Sequence, residues 1–341
     1  MTNVSAPRPR SRGLKTWSSF GNLGRRPTEY EVLTWNMNHT AGSPALELGP
    51  DVNGNVWLRE HRDAMRFVVP SWDAFRDPDQ VTYGSYVAMQ DDAETYVEGL
   101  LAQFDADGHD ASLPLEALDL LARALTPCRF LGHGEQMLSA YVQQLAPSSF
   151  VATAATFQTA DQLRRVQTLA YRTTQLARTH PDHGFGTAER SAWREHPHWQ
   201  PLRRLLELAL VEYDWDRAVV ATQLVVKPVA DLLLLDALAH RLGAAGATLD
   251  ALVLESLAKD ARRSQRFSVA LTRFVVEADP GNAAVLQEYL DAWAPLGHEA
   301  VAAGSRLLAG DDEDGAGRVR ESVTAAWSAL VTDAGLRLPD A

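Results

Sequence analysis

Residues 149–179 read SFVATAATFQTADQLRRVQTLAYRTTQLART, and the ends of that run decide the fold. Pro147 stands before it; Pro181, Gly184 and Gly186 stand after it. Proline lacks the N–H a helix needs, and glycine is conformationally loose, so both punctuate helices. The spacing predicts one long helix from Ser149 to about Thr179, roughly 45 Å at 1.5 Å per residue. Upstream, Asp77-Pro78-Asp79-Gln80 has the makings of another start. Asp77 can cap, Pro78 suits the first helical position, and Gln80 sits where a capping-box partner belongs. From there to about residue 106, Tyr83, Tyr86, Val87, Ala93, Val97, Leu100, Leu101 and Phe104 share one helical face. Downstream, a third long helix begins near Trp199 and carries Leu202, Leu205, Leu206, Leu210, Tyr213, Val219 and Val225. Pro228 is expected to end or kink it.

Shorter helices fit at 114–125, 129–145, 229–242, 249–262, 265–278, 283–308 and 318–334. Breaks fall at Gly243–Gly246, at Pro280-Gly281-Asn282, and from Asp311 to Gly317. The acidic stretch Gly310–Gly315 reads as a surface loop. No alternating run of β-branched residues calls for a sheet, and no repeat of fixed period is present. The expected class is all-α, a bundle of long helices over residues 58–341.

Residues 1–57 differ. They are rich in Pro, Gly, Ser, Asn and Arg and show no sustained period, yet they hold Trp17, Phe20, Tyr30, Trp35, Met37 and Trp57. Disordered tails are poor in aromatics. An extended arm docking on another surface explains the mixture; an irregular lid over the chain's own core is the alternative.

The chain has 341 residues, 46% of them hydrophobic, enough to bury a sizeable core. Its net charge of −12 disfavours nucleic acid, whose phosphates need a basic face, and an anionic membrane surface. The basic cluster Arg8, Arg10, Arg12 and Lys15, with Arg25 and Arg26 further on, reads as a solvated arm. No stretch approaches 18 consecutive apolar residues and no signal peptide is visible, so neither a membrane span nor export is expected. One cysteine, Cys128, excludes an internal disulfide and a thiolate metal cluster. It reads as a small buried filler, and a reducing cytoplasm fits.

Bundles of long helices build carboxylate-bridged diiron sites from two Glu-x-x-His motifs and two further Glu residues. This chain has one such motif, Glu195-His196-Pro197-His198, with a proline between the would-be ligands. With no second copy, that rule cannot assemble a two-metal site. His180, His183, His196 and His198 gather near one turn. They could hold a single metal with Glu195, or pack with Trp193 and Trp199 at a helix junction. Gly-x-x-x-x-Gly-Lys-[Ser/Thr], Gly-x-Ser-x-Gly and Gly-x-Gly-x-x-Gly signatures are missing. Gly132-His133-Gly134 is too short for a phosphate loop and lies in a helical context. Asp91, Asp92 and Glu94 read as a solvated helix face.

Several segments in order carry a resemblance: Lys15-Thr16-Trp17-Ser18, Arg26-Pro27-Thr28-Glu29-Tyr30-Glu31, Trp72-Asp73-Ala74-Phe75-Arg76-Asp77-Pro78-Asp79, Glu94-Thr95-Tyr96-Val97-Glu98-Gly99-Leu100-Leu101, Ala146-Pro147-Ser148-Ser149 and Ala160-Asp161-Gln162-Leu163-Arg164-Arg165-Val166-Gln167. Together they resemble the beta (small) hydroxylase subunit of bacterial multicomponent monooxygenases, in the toluene, alkene and isoprene group. The resemblance implies a ferritin-like helical fold with an extended N-terminal arm, and a cytoplasmic hydroxylase built from paired protomers. It places the diiron centre in a large alpha subunit and gives this chain no cofactor. A reductase with FAD and a 2Fe-2S cluster, or a ferredoxin, would supply NAD(P)H-derived electrons, and an effector protein would gate turnover. A second copy of this chain belongs to the paired assembly, and a gamma subunit is left open. The implied reaction is oxygenation of a small hydrocarbon, alkene or aromatic, with O2.

Catalytic alpha subunits of this kind carry an Asp-Glu-x-Arg-His run whose Glu and His bind iron. The similar run here is Asp161-Gln162-Leu163-Arg164-Arg165, with Gln162 and Arg165 at the ligand places. An amide replaces a bridging carboxylate poorly, and a guanidinium cannot bind a cation. The resemblance therefore implies a bundle that has lost its metals. Interface candidates are Trp17, Phe20, Tyr30, Trp35 and Trp57 from the arm, and Trp72, Phe75 and Arg76 from the segment after it. Two rivals stand beside this reading: a stand-alone metalloenzyme with one metal near Glu195 and His198, and a helical scaffold unrelated to oxygenation.

Overall fold

Ser148 adopts an extended backbone and its hydroxyl accepts the Val151 N–H at 3.5 Å. That cap opens the helix Ser149–Thr179, with the bounds its flanking prolines and glycines imply. The computed structural model describes residues 23–35 and 53–341, and among these every regular element is helical. In chain order the helices are α1 Glu29–Thr34, α2 Asn53–Asp63, α3 Tyr83–Ala106, α4 Leu115–Leu120, α5 Cys128–Gln144 and α6 Ser149–Thr179. They continue with α7 Glu189–Glu195, α8 Gln200–Ala209, α9 Trp215–Ala244, α10 Thr248–Ala278, α11 Gly281–Ala309 and α12 Glu313–Asp333.

Four of these, α5, α6, α9 and α10, form the central bundle. Short turns make α5 antiparallel to α6 and α9 antiparallel to α10. α6 runs parallel to α9: Gln158 meets Gln223 and Lys227 near one end, and Arg165 meets Asp231 further along. Outside the bundle, α11 packs on α8, α9 and α12. Several glycines set close approaches, Gly134 and Gly297 among them. A Cβ on Gly134 would lie 2.4 Å from Leu206 of α8, and one on Gly297 would lie 2.3 Å from Trp327 of α12. Gly132-His133-Gly134 therefore serves helix packing within α5.

The helix expected from Trp199 to Val225 is two helices. The chain turns between Ala209 and Trp215, and the second helix passes through Pro228 to Ala244 without stopping. Two wider π-helical turns, Ala221–Val226 and Leu232–Ala237, flank the proline. Pro228 has no N–H for the Leu224 carbonyl one turn back, and the Trp327 indole N–H donates to that carbonyl at 2.6 Å instead. The most apolar 18-residue stretch of α9 has a mean hydropathy of 1.8, and 94% of that stretch is buried in the protein's own core. No lipid-facing role is needed to explain its apolarity.

Three further expectations are corrected. Asp77–Gln80 is a turn closed by the Gln80 N–H to the Asp77 carbonyl, and α3 begins later, where Thr82 and Ser85 form a capping box. The expected helices 249–262 and 265–278 are one, α10, because Arg263 and Ser264 at the apparent break are buried polar residues on its inner face. The acidic stretch Gly310–Gly315 is a helix start: Asp312 caps α12 by accepting the Gly315 N–H at 2.8 Å.

The expected boundary at residue 57 falls inside α2. Over residues 23–35 the segment covers the chain's own core. Tyr30 lies 5.7 Å from Phe150 and Trp35 lies 6.4 Å from it, ring centroid to centroid. Glu31 is buried and held by Arg25 at 2.8 and 2.9 Å and by Arg76 at 2.9 Å.

Candidate functional site

The core of the bundle is polar along one seam, and α6 supplies most of its cations. Arg165 points between α5 and α9, its Nη1 lying 3.2 Å from Glu135 and 3.0 Å from Asp231. All three side chains are at most 3% exposed. One turn of α9 before Asp231, Lys227 donates to the Gln158 carbonyl oxygen at 2.8 Å, and Gln223 donates to the same atom at 2.8 Å. Two cations, Arg165 and Lys227, thus face two carboxylates, Glu135 and Asp231, buried inside the bundle. Burial pushes both carboxylates upward and Lys227 downward, each towards its neutral form. Burial also works against Arg165, but Glu135 and Asp231 outweigh it and hold the guanidinium above its ordinary value.

On its other side α6 faces α10. Arg263 clamps both oxygens of Asp161 at 2.6 Å, and the Tyr86 hydroxyl donates to Asp161 at 3.0 Å. Burial and the charge of Asp260 push Asp161 up to about 6. Arg164 binds Glu94 and, at 3.0 Å, Asp260. Arg172 forks twice, to Asp250 at 2.8 and 3.1 Å and to Asp110 at 2.7 and 2.8 Å.

This centre does not suit a pair of metal ions. Gln162 and Asp231 border a cavity of about 10 Å³, and the Gln162 carbonyl oxygen and one Asp231 oxygen have no protein partner there. Such a space is on the scale of one water. Its other carboxylates, Asp161 and Asp260, are already held by Arg263 and Arg164, and the cations Arg165 and Lys227 at its wall repel a metal ion. Among the described residues no group of three or more His, Cys, Asp or Glu is arranged to hold a metal.

The comparisons agree with one another. Residues 57–279 match the family model described as Methane/Phenol/Alkene Hydroxylase. The hydroxylase component subunit beta of the toluene-4-monooxygenase system of Ectopseudomonas mendocina is 38% identical over 300 residues, covering 87% of this chain and 91% of that one.

The chain belongs to the methane/phenol/alkene hydroxylase family, as a hydroxylase beta subunit of the toluene 4-monooxygenase type.

A chain of the toluene 4-monooxygenase structure (T4moH) with toluene bound in the resting active site superposes with a TM-score of 0.82 at 37% identity. The overlap covers 90% of this chain and all of that one. The ferritin-like bundle expected of the family is therefore the fold. The oxygenase component DmpL of phenol 2-monooxygenase from Pseudomonas sp. (strain CF600) is 26% identical over 83% of this chain and 85% of its own. A phenol hydroxylase from Pseudomonas sp. OX1, 22% identical and covering 99% of this chain and 98% of that one, shares the fold at a TM-score of 0.79.

The interface candidates of the beta subunit scatter. Trp17 and Phe20 lie outside the described residues, as does Met37. Tyr30 and Phe75, 4% and 1% exposed, face the subunit's own interior, Phe75 between Phe267 and Phe274. Trp72 stands edge-on to Trp215 at 5.2 Å, and Arg76 lies 3.9 Å over the Phe150 ring. Trp57 is open to solvent and leans on Tyr213 at 5.0 Å.

The histidines do not converge on a ligand set. α7 ends at Glu195, which accepts from the Ser191 hydroxyl, and His196 Nδ1 accepts the His198 backbone N–H at 3.2 Å. His180 Nε2 lies 2.7 Å from the Asp110 carbonyl. Trp193 and Trp199 pack together at 5.4 Å, which makes this region a helix junction. Cys128 is fully buried in the beta subunit, its thiol donating to the Ala124 carbonyl and pushed up to about 12 by burial.

Sequence reasoning found Gln162 and Arg165 but missed Glu135, Lys227, Asp231, Asp250, Asp260 and Arg263. A signal was present. Lys227 and Asp231, four apart, are the charges that interrupt the most apolar run of the chain, and a charge there must be paired inside the core.

Proposed function

We propose that this subunit carries no catalytic centre of its own and holds together a hydroxylase whose large alpha subunit carries the diiron site. The reaction is insertion of one atom of O2 into a small hydrocarbon, alkene or aromatic. NAD(P)H-derived electrons arrive through reductase components with FAD and 2Fe-2S, and an effector protein gates turnover. The hydroxylase is a cytoplasmic assembly of paired protomers, so it contains a second copy of this chain. Toluene and related aromatics head the substrate panel, because the similar hydroxylase structure has toluene in its active site.

The observation that supports this most is the position of Arg165. Its guanidinium stands between Glu135 and Asp231, on the helical run where catalytic subunits place iron ligands. A permanent cation there neutralises the carboxylates in place of metal. The beta subunit keeps the packing of a metal-bearing bundle and uses it as a rigid support for its partner. The test is co-expression with the large subunit from the same operon, assayed against alkenes and aromatics with the electron-transfer components present. Oxygenation is expected only from the complex. Turnover by this chain and the reductase without the large subunit would overturn the proposal.

A further inference from the structure

α3 is an incompletely covered helix. It has 24 residues, and only Tyr86 and Val97 are buried. Tyr83, Val87 and Tyr96 are 69%, 47% and 44% exposed, and on α6 Leu163 and Tyr171, which line the groove beside α3, are 45% and 57% exposed. α3 leans on α10, and a groove of about 1100 Å³ separates it from α6. The helices bounding it run parallel. Tyr86 meets Asp161 at one end, and Asp110, beyond α3, meets Arg172 at the other. From Tyr86 to Asp105 the wall is roughly 30 Å long at 1.5 Å per residue. Val97, Leu101, Leu163 and Tyr171 form its apolar floor and lip, with Glu94, Glu98, Asp105 and Asp110, and the cations Arg164 and Arg178, also lining it. α3 carries Asp91, Asp92, Glu94, Glu98 and Asp105 and no Lys, Arg or His.

We infer that this groove receives a helix of the large hydroxylase subunit, apolar on the inserted face and flanked by Lys or Arg. The inference rests on the subunit role proposed above and names the surface that performs it. An unfilled channel between two helices, lined by apolar residues at helical spacing, is the geometry in which a third helix buries its stripe. The rim sets the charge of the occupant: Glu94, Glu98, Asp105 and Asp110 line it against Arg164 and Arg178, and because Arg164 is already held by Glu94 and Asp260, the net negative charge favours a basic helix over an acidic one. A second copy placed α3 against α3 would bring acid against acid. The basic N-terminal residues of this chain are the other complementary occupant, but Pro7, Pro9 and Gly13 interrupt them. They cannot supply an unbroken helix of this length.

The test uses the full complex. A benzophenone amino acid is placed at position 171, and separately at 163, in the subunit co-expressed with its large partner. Irradiation is expected to join both positions to the large subunit, at a helical peptide bearing Lys or Arg. Cross-links to a second copy, to residues 1–22, or to nothing while the complex elutes intact would overturn the groove assignment and leave the subunit role standing. Failure of the unmodified chains to associate at all would overturn both. As a second measurement, Glu98→Lys with Asp105→Lys is expected to weaken association at least tenfold at low salt. Glu321→Lys on α12, which does not border the groove, is expected to leave association unchanged. Equal association by all three proteins would also overturn the assignment.

Discussion

A guanidinium at the centre of a helical bundle is stable only if carboxylates meet it there. Arg165 has Glu135 and Asp231, and removing it leaves two buried acids and Lys227 out of balance. Arg165→Leu is expected to destabilise the fold by about 3–5 kcal/mol, the usual result of breaking a buried pair from one side. Replacing Arg165, Glu135 and Asp231 together by Leu is expected to recover most of that loss. Urea unfolding measures both; a single variant within 1 kcal/mol of the parent would mean that the cluster is not an ion pair. Glu31 gives a pH-dependent case. Hydrogen bonding from Arg25, followed by the Thr28 N–H and Arg76, outweighs burial and holds its carboxyl below the ordinary value of 4.5. A carboxyl with a lowered folded pKa stabilises the fold above its unfolded value and loses that contribution as the pH falls through the folded one. The stability gap between the parent and Glu31→Gln is therefore expected to be widest above pH 5 and to narrow towards pH 3. A gap that stays constant over that window would contradict the assignment. At this scale Gln162 and Arg165 were legible, because a helical run held them where ligands belong. Their partners were not, because Glu135, Asp231 and Asp260 are ordinary charges until tertiary packing buries them.

At the scale of the element, helix middles were legible and several helix ends were not. α6 and α5 lie where periodicity and punctuation placed them, since proline, glycine and a capping serine act locally. The errors came where tertiary contacts overrule local rules. Of the two outcomes expected at Pro228, an end or a kink, the end does not occur: α9 continues, and the Trp327 indole supplies the donor that proline lacks. Trp327→Phe is thus expected to cost about 1–3 kcal/mol through the unpaired Leu224 carbonyl, beyond any change in packing. Pro228→Ala restores an N–H at that turn, so in the Trp327→Phe background it is expected to offset part of the loss. A double-mutant cycle with no coupling between positions 228 and 327 would contradict this explanation. α3 shows the opposite failure. Its apolar face was legible, but only Tyr86 and Val97 are buried by this chain, and the rest is the face that the proposed docking site assigns to the large subunit.

At the scale of the whole molecule, the all-helical class and the family followed from helix layout and from short motifs in order. The assembly role follows less directly, since its aromatic anchors divide. Tyr30 and Phe75 serve this chain's own core, while Trp57 and the α3–α6 groove face outward. Deleting residues 1–22 is expected to leave helicity unchanged, because α1 holds to the body through Glu31 and Tyr30. The same deletion is expected to weaken association with the large subunit. Circular dichroism and sizing chromatography measure the two effects, and full-strength assembly of the truncated chain would remove Trp17 and Phe20 from the interface. The most direct measurement is iron content, taken on the folded chain purified alone and again on the complex with its large subunit. The chain alone is expected to hold no stoichiometric iron, and the complex roughly two irons per large subunit. Roughly two irons bound to the pure, folded chain would contradict a non-catalytic beta subunit whose bundle is closed by Arg165.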